Sequence, residues 1–338
     1  MIMLLDWGEV STVAHKTKSA KVAGKGAAKA RGKAQADVED RVPEPLDEEV
    51  PPPDAPVFPV GDLLRVQTGE VQLDALDPRA TPGFDGDKAD AKEVLPALGA
   101  RLADLQERLF ANGRKGDQRR VLLVLQGMDT SGKGGTVRHV VGSADPAGLS
   151  IKTFRAPTRE ERAHDFLWRI RQALPGPGMI GVFDRSHYED VLIARVKELV
   201  ERRVWSRRYA TINRFEERLV ASGCDVIKVM LHLSPEEQQE RLLARLDDPT
   251  KYWKYNPGDV PERALWPQYQ EAYEAALEKC STVDAPWYVV PADRKWYRNW
   301  AVSQLLVERL EAMDLNWPAP DYDVEIERAR VLASDPTG

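Results

Sequence analysis

Short apolar runs alternate with helical periodicities along most of the chain. Leu95, Leu98, Leu102, Leu105 and Leu109 recur at three- and four-residue spacing, which predicts a helix over 95–109. After a polar turn at 113–120, Val121–Leu125 is an unbroken apolar run suited to a strand buried on both faces. Further strands are predicted at 151–154, 180–183, 226–233 and 287–290. Helical patterns at 136–141, 159–174, 188–201, 209–222, 235–246 and 296–313 separate them. Such alternation implies a parallel sheet with helices on both faces. Ligands of such sheets bind at the carboxyl ends of the strands.

Residues 1–56 break this pattern. They are rich in Lys, Ala and Gly up to Lys33, then acidic with Pro43, Pro45 and Pro51–Pro53. Large apolar groups are too few there to offset the entropy of ordering, so a disordered tail is expected. A basic tail could hold a polyanion; a solvated tail is the plainer reading. Ordered structure is expected from about Leu63. An N-terminal extension and helix over 57–120 lead into a main domain over 121–313, and a C-terminal tail follows over 314–338.

Composition narrows the class. The chain has 338 residues, 42% hydrophobic and 30% charged, which suits a globular protein. It contains no long apolar run and no secretory pattern, so neither a membrane span nor export is expected, and the location implied is cytoplasmic. Cys224 and Cys280 are too few for a disulfide framework or a structural zinc site. A net charge of −6 argues against nucleic-acid binding through bulk charge. A polyanionic ligand would need a local basic groove.

Such a groove has an obvious candidate. Gly127-Met-Asp-Thr-Ser-Gly132-Lys133-Gly134-Gly135 matches G-x-x-x-x-G-K between a strand and a helix. Gly127, Gly132, Gly134 and Gly135 let backbone amides turn around phosphate oxygens, the helix start adds a positive dipole, and Lys133 adds a point charge. The Ser/Thr that ordinarily follows the lysine and binds Mg²⁺ is Gly134, so other groups must hold a metal. Asp129, inside the loop, is expected to help hold Mg²⁺ or to orient the attacking phosphate oxygen.

A second motif, Gly181-Val-Phe-Asp184-Arg185-Ser-His187-Tyr188, ends an apolar strand in an aspartate, the Walker B arrangement. Asp184 can reach a metal and Arg185 a transferred phosphate; a buried ion pair between them is the alternative. A third stretch places Arg241 and Arg245 on one helix face before Pro249, Lys251 and Lys254. It reads as a lid over about 241–270 that folds cations over a phosphate chain, or else as a solvated helix face. Arg202, Arg203, Arg207, Arg208 and Arg214 form a basic stretch that either lines a phosphate channel or is a solvated face shared with Glu216 and Glu217. Trp253, Trp266 and Trp287 could stack on a base or belong to the core.

Taken together, the G-M-D-T-S-G-K-G-G, F-D-R-S-H-Y-E-D-V, A-R-L-D-D-P-T-K-Y-W-K-Y-N-P-G-D and A-P-W-Y-V-V-P-A-D-R-K-W-Y-R-N segments resemble the polyphosphate kinase 2 family, from about Leu63 to Leu310. The resemblance implies a three-layer α/β/α P-loop kinase fold like that of thymidylate kinase, with a helical lid, and a homo-oligomer. It implies Mg²⁺-dependent, in-line transfer of the terminal phosphoryl of inorganic polyphosphate to a nucleoside mono- or diphosphate. Asp129, Lys133, Asp184, Arg185, Arg241 and Arg245 become the catalytic candidates, with Asp129 and Asp184 as metal ligands and Lys251 and Lys254 on the phosphate chain. Asp293, Arg294 and Lys295 follow the last strand as weaker candidates. Glu189 and Asp190 stand where many diphosphate-preferring members carry Asn-Arg, so they are read as acceptor-side residues that admit AMP as well as ADP; a solvated first helical turn is the alternative. An ATP-dependent nucleotide kinase, a diphosphate-only polyphosphate kinase, a phosphohistidine mechanism through His187 or His139, and a non-catalytic polyphosphate-binding protein remain as rival readings.

Overall fold

In the computed structural model the described residues are 59–67 and 69–334. The expectation for residues 1–56 lies outside them. The helices are α1 (Val60–Leu64), α2 (Lys88–Arg114), α3 (Lys133–Val140), α4 (Trp168–Gln172), α5 (Ile193–Val196), α6 (Arg202–Ala221), α7 (Pro235–Leu246), α8 (Asp259–Arg263), α9 (Trp266–Cys280), α10 (Lys295–Glu311) and α11 (Val324–Ala333). The strands are β1 (Arg120–Gln126), β2 (Leu149–Thr153), β3 (Ile180–Asp184), β4 (Cys224–His232) and β5 (Trp287–Pro291). They form one five-stranded sheet in the order β2-β3-β1-β4-β5, and every pairing is parallel.

β1, β3, β4 and β5 are buried because they are largely apolar on both faces, while β2 is an edge strand with residues 151–153 exposed. Val121, Leu123 and Leu125 of β1 enter a core with α1, α2 and α10, through Leu102, Leu105, Val302 and Leu306. Leu122 and Val124 point the other way, toward Ile212 and Phe215 of α6 and Ala276 and Leu277 of α9. This alternation is the strand period of two, and it fixes a three-layer α/β/α architecture. All five predicted strands are present. α2 begins earlier than its leucine spacing implied, because Asp87 and Asp90 form a reciprocal capping box at its start.

Two predicted helices are not continuous. The 159–174 pattern yields a short 3₁₀ turn, Glu161–Ala163, and then α4. Between them Asp165 accepts a hydrogen bond from the Leu167 amide at 3.1 Å and pairs with Arg171 at 2.5 Å, a local turn that competes with the helix. The 188–201 pattern yields the 3₁₀ turn His187–Asp190 followed by α5. There His187 and Tyr188 are drawn into the interior by Glu216, and a tertiary tether overrides the local helical preference. The interval 241–270 contains the end of α7, a 3₁₀ turn at Pro249–Lys254, α8 and the start of α9. α9 was not apparent from the sequence, yet Ala272, Tyr273, Ala276, Leu277 and Cys280 bury one of its faces.

Candidate active site

The loop between β1 and α3 is held from behind at five consecutive carbonyls. Lys133 Nζ donates to Gly127 O at 2.7 Å and to Met128 O at 3.3 Å. Gln238 Nε2 donates to Asp129 O at 2.9 Å. Arg241 Nη1 donates to Thr130 O at 2.9 Å and Ser131 O at 3.2 Å, and Arg298 Nη1 donates to Ser131 O at 3.1 Å. With these carbonyls engaged by side chains the loop is held in place, the Ser131 amide bonds back to Met128 O at 3.1 Å, and the first-turn amides of α3 have no earlier helical carbonyl to bond. That is the arrangement an anion site needs. Gly127 and Gly132 adopt φ of 150° and 103°, which favours residues without a Cβ.

Strand register brings the second motif to this loop. Leu125 of β1 pairs with Asp184 at the end of β3, so Asp184 stands at the carboxyl edge beside the loop. Arg185 follows with φ of 66°, a left-handed conformation that is uncommon outside glycine and here aims the side chain at Asp129. Its Nη2 donates to Asp129 Oδ1 at 2.7 Å. Burial opposes the charge on Arg185, but Glu189, Asp129 and Asp184 hold its pKa above the ordinary value. Lys133 shifts the other way: burial and then Arg185 lower its pKa, against the pull of Asp129 and Asp184.

Glu189 and Asp190 face different ways. Glu189 accepts from Gln126 Nε2 at 3.0 Å, at the end of β1 and on the crevice side. Asp190 instead accepts from Arg208 at 3.1 Å and lies near Arg169, and burial raises its pKa against those two cations. His187 is fully buried and bonded to Glu216 at 3.1 Å, so it does not reach the loop; His139 is exposed on α3. Glu216 itself is 1% exposed and pairs with the buried Lys228, so it forms no solvated face with Glu217. Trp287 is core. Asp293 turns to the amide and hydroxyl of Ser234, at 2.9 and 2.8 Å, and leaves Arg294 and Lys295 exposed.

Arg241 and Arg245 separate despite their shared helix. Arg241 is buried; besides the loop carbonyls it reaches Ala292 O at 2.6 Å and Asp293 O at 2.9 Å. Arg245 lies farther out, on Lys254 O at 2.9 Å and Asp259 at 3.6 Å. Burial and then Asp129 raise the Asp259 pKa, against the pull of Arg245 and Arg185. Lys251 pairs with Asp248 at 2.8 Å on the surface. Burial and then Arg241, with Arg298 and Lys251, lower the pKa of Lys295 against the pull of Glu237. Gln126, Gln238, Arg298 and Asn299 were not singled out from the sequence, although a polar residue closing the apolar run of β1 and an Arg-Asn pair within a buried helix were the available signals.

Among the described residues no three His, Cys, Asp or Glu side chains converge as a metal cage. Asp129 and Asp184 are two oxygen donors beside a phosphate loop. That donor set fits Mg²⁺, which typically binds through one or two carboxylates, retained waters and substrate phosphates.

The sequence matches the family described as Polyphosphate kinase 2 over residues 85–318. The chain belongs to that family. It is 48% identical over 258 residues to the AMP/ADP-polyphosphate phosphotransferase of Meiothermus ruber, covering 76% of this chain and 95% of that one. It is 40% identical over 267 residues to the ADP-polyphosphate phosphotransferase of Rhodopseudomonas palustris, covering 75% of this chain and 91% of that one. The crystal structure of polyphosphate kinase 2 from Arthrobacter aurescens TC1 superposes with a TM-score of 0.80 at 54% identity, over 82% of this chain and 98% of that one. The chain is thus an enzyme that transfers phosphoryl groups from polyphosphate to nucleotides. No helix among the described residues is long and apolar enough to cross a membrane.

Proposed function

We propose that the chain transfers the terminal phosphoryl group of inorganic polyphosphate to AMP and to ADP, reversibly and in the cytoplasm. The observation that carries the reading is the convergence of Lys133, Asp184 and the Arg185–Asp129 pair on one phosphate loop whose carbonyls are all turned aside. In-line phosphoryl transfer needs little covalent work from the protein; positioning and charge neutralisation carry it. The loop amides and Lys133 seat the donor phosphates. Arg185 and Arg245 neutralise charge on the transferring group, and Lys251 and Lys254 follow the rest of the chain. Arg241 acts from beneath by fixing the loop. Asp129 and Asp184 would hold Mg²⁺, which supplies charge neutralisation at the phosphate oxygens. Asp129, tied to Arg185, also orients the acceptor oxygen.

Glu189 supports acceptance of a monophosphate. It is the carboxylate of the Glu-Asp pair that faces the crevice, and a fixed negative charge there disfavours the extra phosphate of a diphosphate more than that of a monophosphate. Asp190, paired with Arg208, braces the turn instead. Incubation with polyphosphate, Mg²⁺ and AMP, with no ATP present, should yield ADP and then ATP on nucleotide separation. ADP conversion with AMP untouched over many turnovers would leave a diphosphate-only enzyme. Activity that requires ATP and ignores polyphosphate would point to an ordinary nucleotide kinase.

A further inference from the structure

Two arginines lie beneath the phosphate loop, and they are neutralised differently. Arg241 has a carboxylate partner, Glu237, at 2.8 Å. Arg298 of α10 is 3% exposed and, among the described residues, joins no ion pair. Its guanidinium donates to Ser131 O at 3.1 Å and, through Nε at 3.2 Å and Nη2 at 2.8 Å, to Oδ1 of Asn299. Asn299 is itself buried. An aspartate of the same shape would accept the same two bonds and cancel the charge; the amide orients the guanidinium and leaves the charge whole.

Burying an uncompensated cation costs several kcal/mol even after relaxation. Burial and Arg241 push the Arg298 pKa down to about 10, which still leaves the group charged at neutral pH. The loop is shaped around it. A Cβ on Gly132 would sit 1.7 Å from Arg298 Nη1, and one on Gly135 would sit 3.2 Å from Nη2. The two loop glycines therefore lie directly against the guanidinium.

We propose that Arg298, oriented by the neutral acceptor Asn299, is a positioning residue for phosphoryl transfer: it holds the Ser131 carbonyl away from the mouth of the loop and sets an uncompensated positive charge behind Gly132 and Gly135. The inference rests on the polyphosphate reading above. It accounts for an amide at position 299, for a small residue at 132 beyond its backbone angle, and for a small residue at 135, whose backbone is helical.

Asn299→Asp separates charge from bracing, because it keeps shape and hydrogen bonds while neutralising Arg298. Calorimetric titration of the full-length protein with tripolyphosphate should show binding about tenfold weaker than wild type, ~1.4 kcal/mol. KM for polyphosphate should rise by a similar factor, kcat should change less, and Tm should stay level or increase, since the buried cation gains a carboxylate partner in place of a neutral amide. Arg298→Lys should retain most of the affinity while lowering kcat, because the charge persists but the fork that fixes Ser131 is lost. Unchanged tripolyphosphate affinity in Asn299→Asp at equal or higher Tm would overturn the proposal and leave Arg298 a brace only. A wild-type protein that turns over nucleotides with ATP but does not bind tripolyphosphate would remove the functional reading, and this inference with it.

Discussion

Lys133, Arg241 and Arg298, bonded to the phosphate loop, are each at most 8% exposed, whereas the Lys251 side chain and Trp253 on the Pro249–Lys254 turn are 49% and 78% exposed. Both regions are cationic, but their partners differ. The buried cations are bonded to main-chain carbonyls, so their positions are set by the fold before any ligand arrives. Lys251 has a surface aspartate within its own turn, and Trp253 bonds only to Thr250 O at 3.0 Å. The first region provides fixed electrostatics, the kind that stabilises a transition state without reorganisation. The second is exposed and tied by Asp248 within the turn and by Arg245 at Lys254 O, and under the proposed function it adapts to a chain of variable length.

Removing a member of the fixed region should have the largest effect. Lys133→Ala and Asp184→Asn should each lower kcat/KM by roughly 10³ or more, in the range known for single charge-stabilising groups in phosphoryl transfer. Both stand at the crevice rather than in either core cluster, so far-ultraviolet dichroism should remain that of the parent. Turnover within tenfold of wild type in either purified variant would remove these residues from the site.

The glycines sharpen the contrast inside the loop itself. Gly132 has φ of 103° and its space is taken by Arg298, while a Cβ on Gly134 would meet nothing within 4 Å. Gly132→Ala should therefore destabilise by about 1–3 kcal/mol and lower kcat at least 100-fold, since left-handed strain and displacement of the guanidinium act together. Gly134→Ala, in the first turn of α3, should leave kcat within about threefold and raise stability by up to ~1 kcal/mol through helix propensity. Thermal melts and steady-state rates on the two variants test this; equal damage at both positions would mean that the loop packs differently around α3.

What could be read from the sequence follows the same division. β1, β3, β4 and β5 were legible because each is a largely apolar run buried on both faces, a signal that needs no partner, whereas β2 is a partly exposed edge strand that only its place in the strand–helix alternation marked. The phosphate loop and Asp184-Arg185 were legible because their chemistry is contiguous. Arg298 was not, because its meaning lies in the absence of a carboxylate near it, which spacing cannot reveal. Glu189 and Asp190 were read as a pair, but one residue of a 3₁₀ turn rotates the side chain by about 120°, so neighbours face different surroundings. The break at Asp165 and the inward pull of Glu216 on His187 and Tyr188 are likewise tertiary facts, and each disrupted a helix that periodicity alone had drawn.

The exposed turn should give the smallest effect and the most condition-dependent one. Lys251 and Lys254 lie outside the buried loop, and Lys251 already has Asp248, whose carboxyl it helps push down to about 2. An exposed contact of this kind contributes about 0.2–1 kcal/mol, so Lys251→Ala with Lys254→Ala should raise KM for long polyphosphate by about two- to tenfold and leave kcat within twofold. Exposed charges are screened at separations beyond about 8–10 Å at physiological salt, so the difference from wild type should shrink as salt is raised. The buried Arg298 is screened far less, and the loss in Asn299→Asp should persist at the same salt concentrations. Donor length adds a second axis. In the proposed binding mode tripolyphosphate ends near the loop and a long chain extends past it to the turn, so the double lysine variant should be impaired with long chains and nearly normal with tripolyphosphate. An equal, salt-independent loss with both donors would place these lysines with the fixed cations, and the division between the two regions would fail.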